Sequence, residues 1–194
     1  VMAERQVTVG GHRYPLDDFF LVIATENPVD HEGVYALPLA QQDRFMMRLH
    51  LGYPEEEAEL SILQDDPSER LLPGLTAVSN RSQLLHAREA ARSIYVSHEL
   101  QAAAVAAAQA TRQDRRVRYG VSPRAVLMLI HAAQARAYVL GRTYVVPEDL
   151  LELLEPVWVH RLRLRDEGAD AAEVIRTLAA EPIEAAYQEV MTGG

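Results

Sequence analysis

The apolar run FFLVIA at residues 19–24 constrains this chain more than any other stretch. It closes on Thr25-Glu26-Asn27-Pro28. A brief apolar run ended by polar residues and a proline predicts a strand buried on both faces, as in parallel sheets. In open α/β sheets, ligands bind just beyond the carboxyl ends of such strands. Asn27 falls at that end, with an amide that both donates and accepts hydrogen bonds. It also has a plain local reading, an Asx turn into Pro28. Further on, Asp43-Arg44-Phe45 leads into a second strand-like segment over 45–51.

What the chain lacks narrows the chemistry. All 19 Lys+Arg positions are arginine. A phosphate-binding P-loop, G-x-x-x-x-G-K-[ST], places a lysine on the terminal phosphates, so this chain contains no P-loop. It has no G-x-G-x-x-G and no acidic pair at the end of an apolar strand to hold magnesium. With no cysteine there is no disulfide framework, thiol nucleophile or cysteine-based metal site. Asp30, His31 and Glu32 are adjacent and cannot converge on one ion in regular structure, so no metal site is expected. A net charge of -9 argues against a general nucleic-acid surface. The local basic cluster Arg112, Arg115, Arg116 and Arg118 reads as a solvated interhelical loop, with contact to an acidic neighbour or to nucleic acid as the sharper readings. No stretch approaches the roughly 20 apolar residues of a membrane span, and no signal-peptide pattern opens the chain. A cytoplasmic protein is expected.

In chain order, residues 1–6 read as the tail of a helix. Val7-Thr8-Val9, Gly10-Gly11 and His12-Arg13-Tyr14 predict a hairpin, since both turn glycines can take positive φ. After Pro54 the pattern turns helical, with Glu55-Glu56-Glu57 at the favourable end of a helix dipole. Residues 67–75 read as a polar loop. Helices are predicted over 82–92, from Ser97 through the alanine-rich 100–111, and from Ser122-Pro123 to about Leu140, with Gly141 as the stop. Pro147-Glu148-Asp149 opens another. Residues 160–165 fit a short strand or a helix terminus equally well. Asp170 to Glu173 has a capping-box shape, and Pro182 is expected to start a last helix.

The segment ATENPVDHEGVYALPLAQQDRF, residues 24–45, resembles the ATxNP…EG-x-Y-x-LP-x-AQ-x-DRF pattern of MoxR-type AAA+ ATPases. Residues 2–8, MAERQVT, and Gly120-Val121-Ser122-Pro123-Arg124-Ala125 agree in order and spacing. The resemblance covers the second half of such an ATPase. It implies an α/β plus all-α fold: the last strands of an AAA+ (P-loop NTPase) core, then a helical lid. Residues 1–54 would carry a hairpin, a sensor-1 strand and an arginine-finger strand, and residues 55–194 the lid with sensor 2. The hairpin is similar to one that can face the ring's central channel in relatives, although it also fits an ordinary cover for a sheet edge.

By the same resemblance Asn27 is sensor 1, acting on the attacking water or the terminal phosphate. Arg44 is the arginine finger reaching a neighbouring subunit's nucleotide, and Arg124 is sensor 2. A planar, permanently charged guanidinium suits such places because it can hold two phosphate oxygens at once. Each residue has a bland alternative: an ion pair of Arg44 with Asp43 or another carboxylate, and one of Arg124 with a nearby acid. Leu39 and Gln42 depart from the family pattern, which has glutamate and an aliphatic residue there, and this puts the packing under the turn in question.

The full protein would bind ATP and magnesium, largely through residues outside this chain, and hydrolyse ATP in a ring of identical subunits, a hexamer. It would remodel or mature a protein client, such as a von Willebrand factor A-domain protein. The chain alone is expected to be inactive. Two other classes stay open: a nucleic-acid-acting AAA+ motor, which shares the DRF arginine, and a non-catalytic helical interaction domain.

Overall fold

A computed structural model describes residues 6–17, 19–26, 37–166 and 168–192. β1 (Gln6–Val9) pairs antiparallel with β2 (His12–Pro15), Val7 opposite Tyr14. Gly10 and Gly11 turn the hairpin with φ of 57° and 83°, the left-handed values that a two-residue turn demands. Gln6 pairs with Pro15 and so belongs to the strand rather than to a preceding helix; residues 1–5 lie outside the described residues.

The strands expected at 19–24 and 45–51 do not form among the described residues. Leu21 and Ile23 are 73% and 80% exposed where burial on both faces was expected, and Leu51, in the second strand-like segment, is 99% exposed. A strand exists through its ladder of hydrogen bonds, and no described strand pairs with either stretch to supply one. The one-turn helix α1 (Leu39–Gln42) follows Pro38, and the chain then passes through a turn at 43–46.

α2 (Glu56–Asp65) carries Glu56, Glu57 and Glu59 in its first turn, as the dipole favours, and ends at Asp66 with φ 41°. The loop expected over 67–75 is instead largely helical, with α3 (Pro67–Arg70) and a 3-10 turn at Leu72–Gly74. Pro67 at the first helical position pre-sets φ where its missing N–H costs nothing. None of these elements has a buried residue.

The core lies in five longer helices: α4 (Arg81–Arg92), α5 (His98–Gln113), α6 (Pro123–Val139), α7 (Pro147–Trp158) and α8 (Ala171–Thr192). A small two-stranded antiparallel sheet of β3 (Val117–Tyr119) and β4 (Arg163–Leu164) joins them, so the segment at 160–165 shows both of its readings: it closes a 3-10 turn at Val159–Arg161 and then forms a strand. The starts are capped. Asn80 and Gln83 form a capping box, Ser97 accepts from the Leu100 N–H at 3.2 Å, and Ser122 accepts from the Ala125 N–H at 3.2 Å. Gly141, φ 73°, stops α6. α5 packs chiefly on α8 and buries Ala103, Ala104, Ala107 and Ala108, side chains small enough to let two helices approach closely. The fully buried Trp158 donates from Nε1 to the Ala125 carbonyl at 3.0 Å, pinning the end of α7 to the first turn of α6. α8 does not break at Pro182, as the sequence suggested. Ile175, Ala179, Ile183 and Ala186 are all buried along it, and continuous packing against α5 and α7 outweighs the hydrogen bond that the proline removes.

Candidate functional site

Arg44 stands in the turn just after α1, exposed, with no ion pair among the described residues. The ion pair with Asp43 that the sequence left open does not form, because Asp43 is engaged elsewhere. Its Oδ1 lies 3.1 Å from Arg161 Nε, and it accepts from the Ser122 hydroxyl at 3.1 Å. Arg161 is the unusual residue here. Its side chain is only 1% exposed, yet it carries a permanent charge. Asp43 is the carboxylate beside it, and its remaining N–H groups donate to the carbonyls of Phe45 and Val157. A buried guanidinium left without such partners would be strongly destabilising, so Arg161 and Asp43 fix each other.

The neighbouring residues complete the clamp on this turn. His160, buried, donates from Nε2 to the Phe45 carbonyl at 3.2 Å, because a carbonyl can only accept. Burial and the adjacent Arg161 charge push its pKa down to about 4, against a smaller opposing effect of the Phe45 bond. His160 is therefore neutral near pH 7. The Arg48 N–H donates to the Pro156 carbonyl at 2.8 Å, tying the following residues to α7. Gln42, one of the departures from the family pattern, is held as firmly: its Nε2 donates to the Leu37 carbonyl at 2.7 Å, and its Oε1 accepts from Arg163 at 2.8 Å. Leu39, the other departure, lines a shallow groove with Tyr119 and Leu164.

Arg124 occupies the first turn of α6, opposed to the dipole. Its side chain is 48% exposed, and its guanidinium is 3.9 Å from Asp43 Oδ2, a loose contact. Arg44 and Arg124 thus sit on two elements bridged by one carboxylate. Asn27, with Asp30, His31 and Glu32, lies outside the described residues. The basic cluster resolves into local structure: Arg112 donates to the Val121 carbonyl at 2.8 Å, Arg116 pairs with Asp114 at 3.0 Å, and Arg118 lies over the Tyr119 ring at 5.4 Å. Among the described residues no group of His, Cys, Asp and Glu could hold a metal ion, and no helix is long and apolar enough to cross a membrane.

Sequence reasoning missed two charged residues that organise this region. Arg161 was legible only as one member of an alternating run. Asp149 was read as a helix start, yet it is fully buried and accepts from Arg136 at 2.5 Å, from Arg142 at 2.7 Å and from the Val146 N–H at 2.9 Å. Its position three residues after the N-cap was the available signal.

Residues 109–180 match the family described as the AAA lid domain, and residues 1–47 match the ATPase family associated with various cellular activities (AAA). The chaperone MoxR1 of Mycobacterium tuberculosis is 37% identical over 97% of this chain and 54% of its own length. The Bacillus subtilis protein YeaC is 36% identical over 91% of this chain and 57% of its own length. The protein MoxR of Methylorubrum extorquens is 30% identical over 84% of this chain and 53% of its length. The crystal structure of a candidate ATPase from Cytophaga hutchinsonii superposes with a TM-score of 0.82 at 34% identity, covering 92% of this chain and 58% of that one. The chain spans about half the length of the curated relatives it matches.

Proposed function

The chain belongs to the MoxR-type AAA+ ATPases, and from that premise we propose that it is the carboxyl-terminal portion of one. Residues 1–54 complete the α/β core and residues 55–194 form the lid. The whole protein binds ATP with magnesium, hydrolyses it in a ring of identical subunits, a hexamer, and uses the cycle to remodel or mature a protein client. A von Willebrand factor A-domain protein is one such client. The protein acts in the cytoplasm. The chain by itself turns over no ATP, because without a lysine it has no P-loop to hold the phosphates.

The observation that carries this reading is the contrast between Arg44 and its neighbour. Asp43 is anchored by Arg161 and Ser122, while Arg44 projects outward with no ion pair among the described residues. A guanidinium held on a fixed turn, with no ion pair at its head among the described residues, could reach the γ-phosphate of an adjacent subunit. There it would stabilise charge spreading over the equatorial oxygens. By the resemblance to the family, Arg124 would meet the phosphates from the lid and Asn27 would orient the attacking water. Magnesium would supply charge neutralisation between the phosphates, and no described residue here is assigned to hold it. The exposed apolar side chains at 19–26 and 46–51 form the face against which the rest of the core packs.

Arg44→Ala in the full-length protein tests the reading. The ATPase kcat should fall by about 10³-fold or more, with ring assembly intact by native mass spectrometry. An unchanged kcat in intact rings would remove the finger assignment and favour a non-catalytic interaction domain.

A further inference from the structure

We infer that Asp43 is a positioning residue that couples the finger turn to the lid helix, so that Arg44 and Arg124 answer to the same carboxylate. This rests on the reading of those two arginines given above. Asp43 immediately precedes Arg44 and caps the end of α1 in a right-handed conformation, φ −60° and ψ −14°. Any shift of its carboxylate therefore swings the backbone from which Arg44 projects. Three groups from the helical part converge on it. Arg161 supplies a buried, fixed contact at 3.1 Å, Ser122 a hydroxyl at 3.1 Å, and Arg124 a looser contact at 3.9 Å.

Ser122 makes the coupling specific. Its oxygen accepts the Ala125 N–H as the N-cap of α6, while its single proton goes to Asp43. The hydroxyl is thus set from both sides, and the start of α6 cannot turn without moving Asp43 or losing the bond. Arg124 follows two residues later on the same helix start. Against the dipole, the favourable charge beside it among the described residues is Asp43. A phosphate arriving at Arg124 competes with Asp43 for the guanidinium. Lid engagement in one subunit is thereby transmitted to the finger that serves its neighbour, while Arg161 keeps Asp43 from being left uncompensated.

Two substitutions in the full-length ATPase separate this from a purely structural role. Ser122→Asp keeps a side-chain acceptor for the helix N-cap but removes the proton donor and sets a like charge beside Asp43. We expect intact rings, faster hydrogen exchange of the amides at 42–46, and a kcat lower by about 10- to 100-fold, the scale of a misplaced catalytic group. Asp43→Asn frees Arg124 and loosens Arg44. It should lower KM for ATP by about two- to fivefold, the worth of one exposed ion pair, while kcat falls. A merely destabilised enzyme would lose kcat without tightening KM.

Wild-type exchange at 42–46 together with wild-type kcat in Ser122→Asp would overturn the inference. Should Asp43→Asn fail to fold, Ser122→Asp decides alone. If Arg44→Ala leaves turnover unchanged, the reading of Arg44 fails instead. The exchange of 42–46 in Ser122→Asp then still reports whether Asp43 links the turn to α6.

Discussion

Burial against Arg161 takes His160 from an ordinary 6.5 down to about 4, and the consequence for stability has a definite sign. Between those values the unfolded chain carries a proton on this residue that the folded chain does not. Stability present above pH 6.5 is therefore lost as pH falls towards 4, by up to about 3 kcal/mol from this group. His160→Gln, which retains a donor for the Phe45 carbonyl, should flatten the thermal midpoint between pH 4 and 6.5; an unaltered slope would assign that loss elsewhere. Asp149 acts at lower pH. Burial alone would raise its pKa, but hydrogen bonds from Arg142, the Val146 N–H and Arg136 outweigh it and hold the carboxyl below its ordinary value. Its contribution is present above the ordinary aspartate range and lost as pH falls through the lowered value. Asp149→Asn should cost about 3 kcal/mol in urea unfolding at pH 7, because both arginines, only about a quarter exposed, lose their shared anion. A loss under about 1 kcal/mol would mean that the arginines find other partners or water.

Among elements, the connection from α5 into β3 and α6 leaves the least room for change. A Cβ on Gly120 would sit 2.8 Å from Arg112 Cγ and 2.9 Å from its Cα and N, so it would collide with the last turns of α5 itself. Gly120→Ala should cost about 1–3 kcal/mol by overpacking, read as a lower denaturation midpoint with an unchanged m-value. The elements most legible in the sequence were those whose ends carry their own chemistry. Ser97, Ser122-Pro123 and Gly141 act at their own backbone positions, so no tertiary context was needed to place them. Pro182 misled for the opposite reason. The local penalty was read correctly, but the burial of Ile183 and Ala186 against neighbouring helices is a tertiary term that spacing does not reveal. The clamp of His160 and Arg161 on residues 43–46 was equally hidden, because its partners are 115 or more residues apart in sequence.

At the scale of the whole molecule, the motifs that carry the family are concentrated where the described chain is least packed, while its best-packed helices carry few of them. The apolar pattern at 19–24 and 45–51 was legible as strand, and the absence of ladders there is consistent with side chains suited to a sheet that these residues do not build by themselves. Leu21, Ile23, Leu49, Leu51 and Tyr53 are each largely exposed, in contrast to the well-buried helical body. Burying such side chains is favourable by roughly 25 cal/mol per Å², so in the longer ATPase proposed above they should not stay open to water. The chain alone is accordingly expected to bind a hydrophobic dye and to exchange its amides rapidly at 19–26 and 46–51. In the full-length protein the same amides should exchange at least about 100-fold more slowly, as expected for residues in a packed sheet, while those of α5, α6 and α7 change little. Equal exchange at 19–26 and 46–51 in both proteins would mean that these segments are not strands of the core, and the division at residue 54 would have to be redrawn.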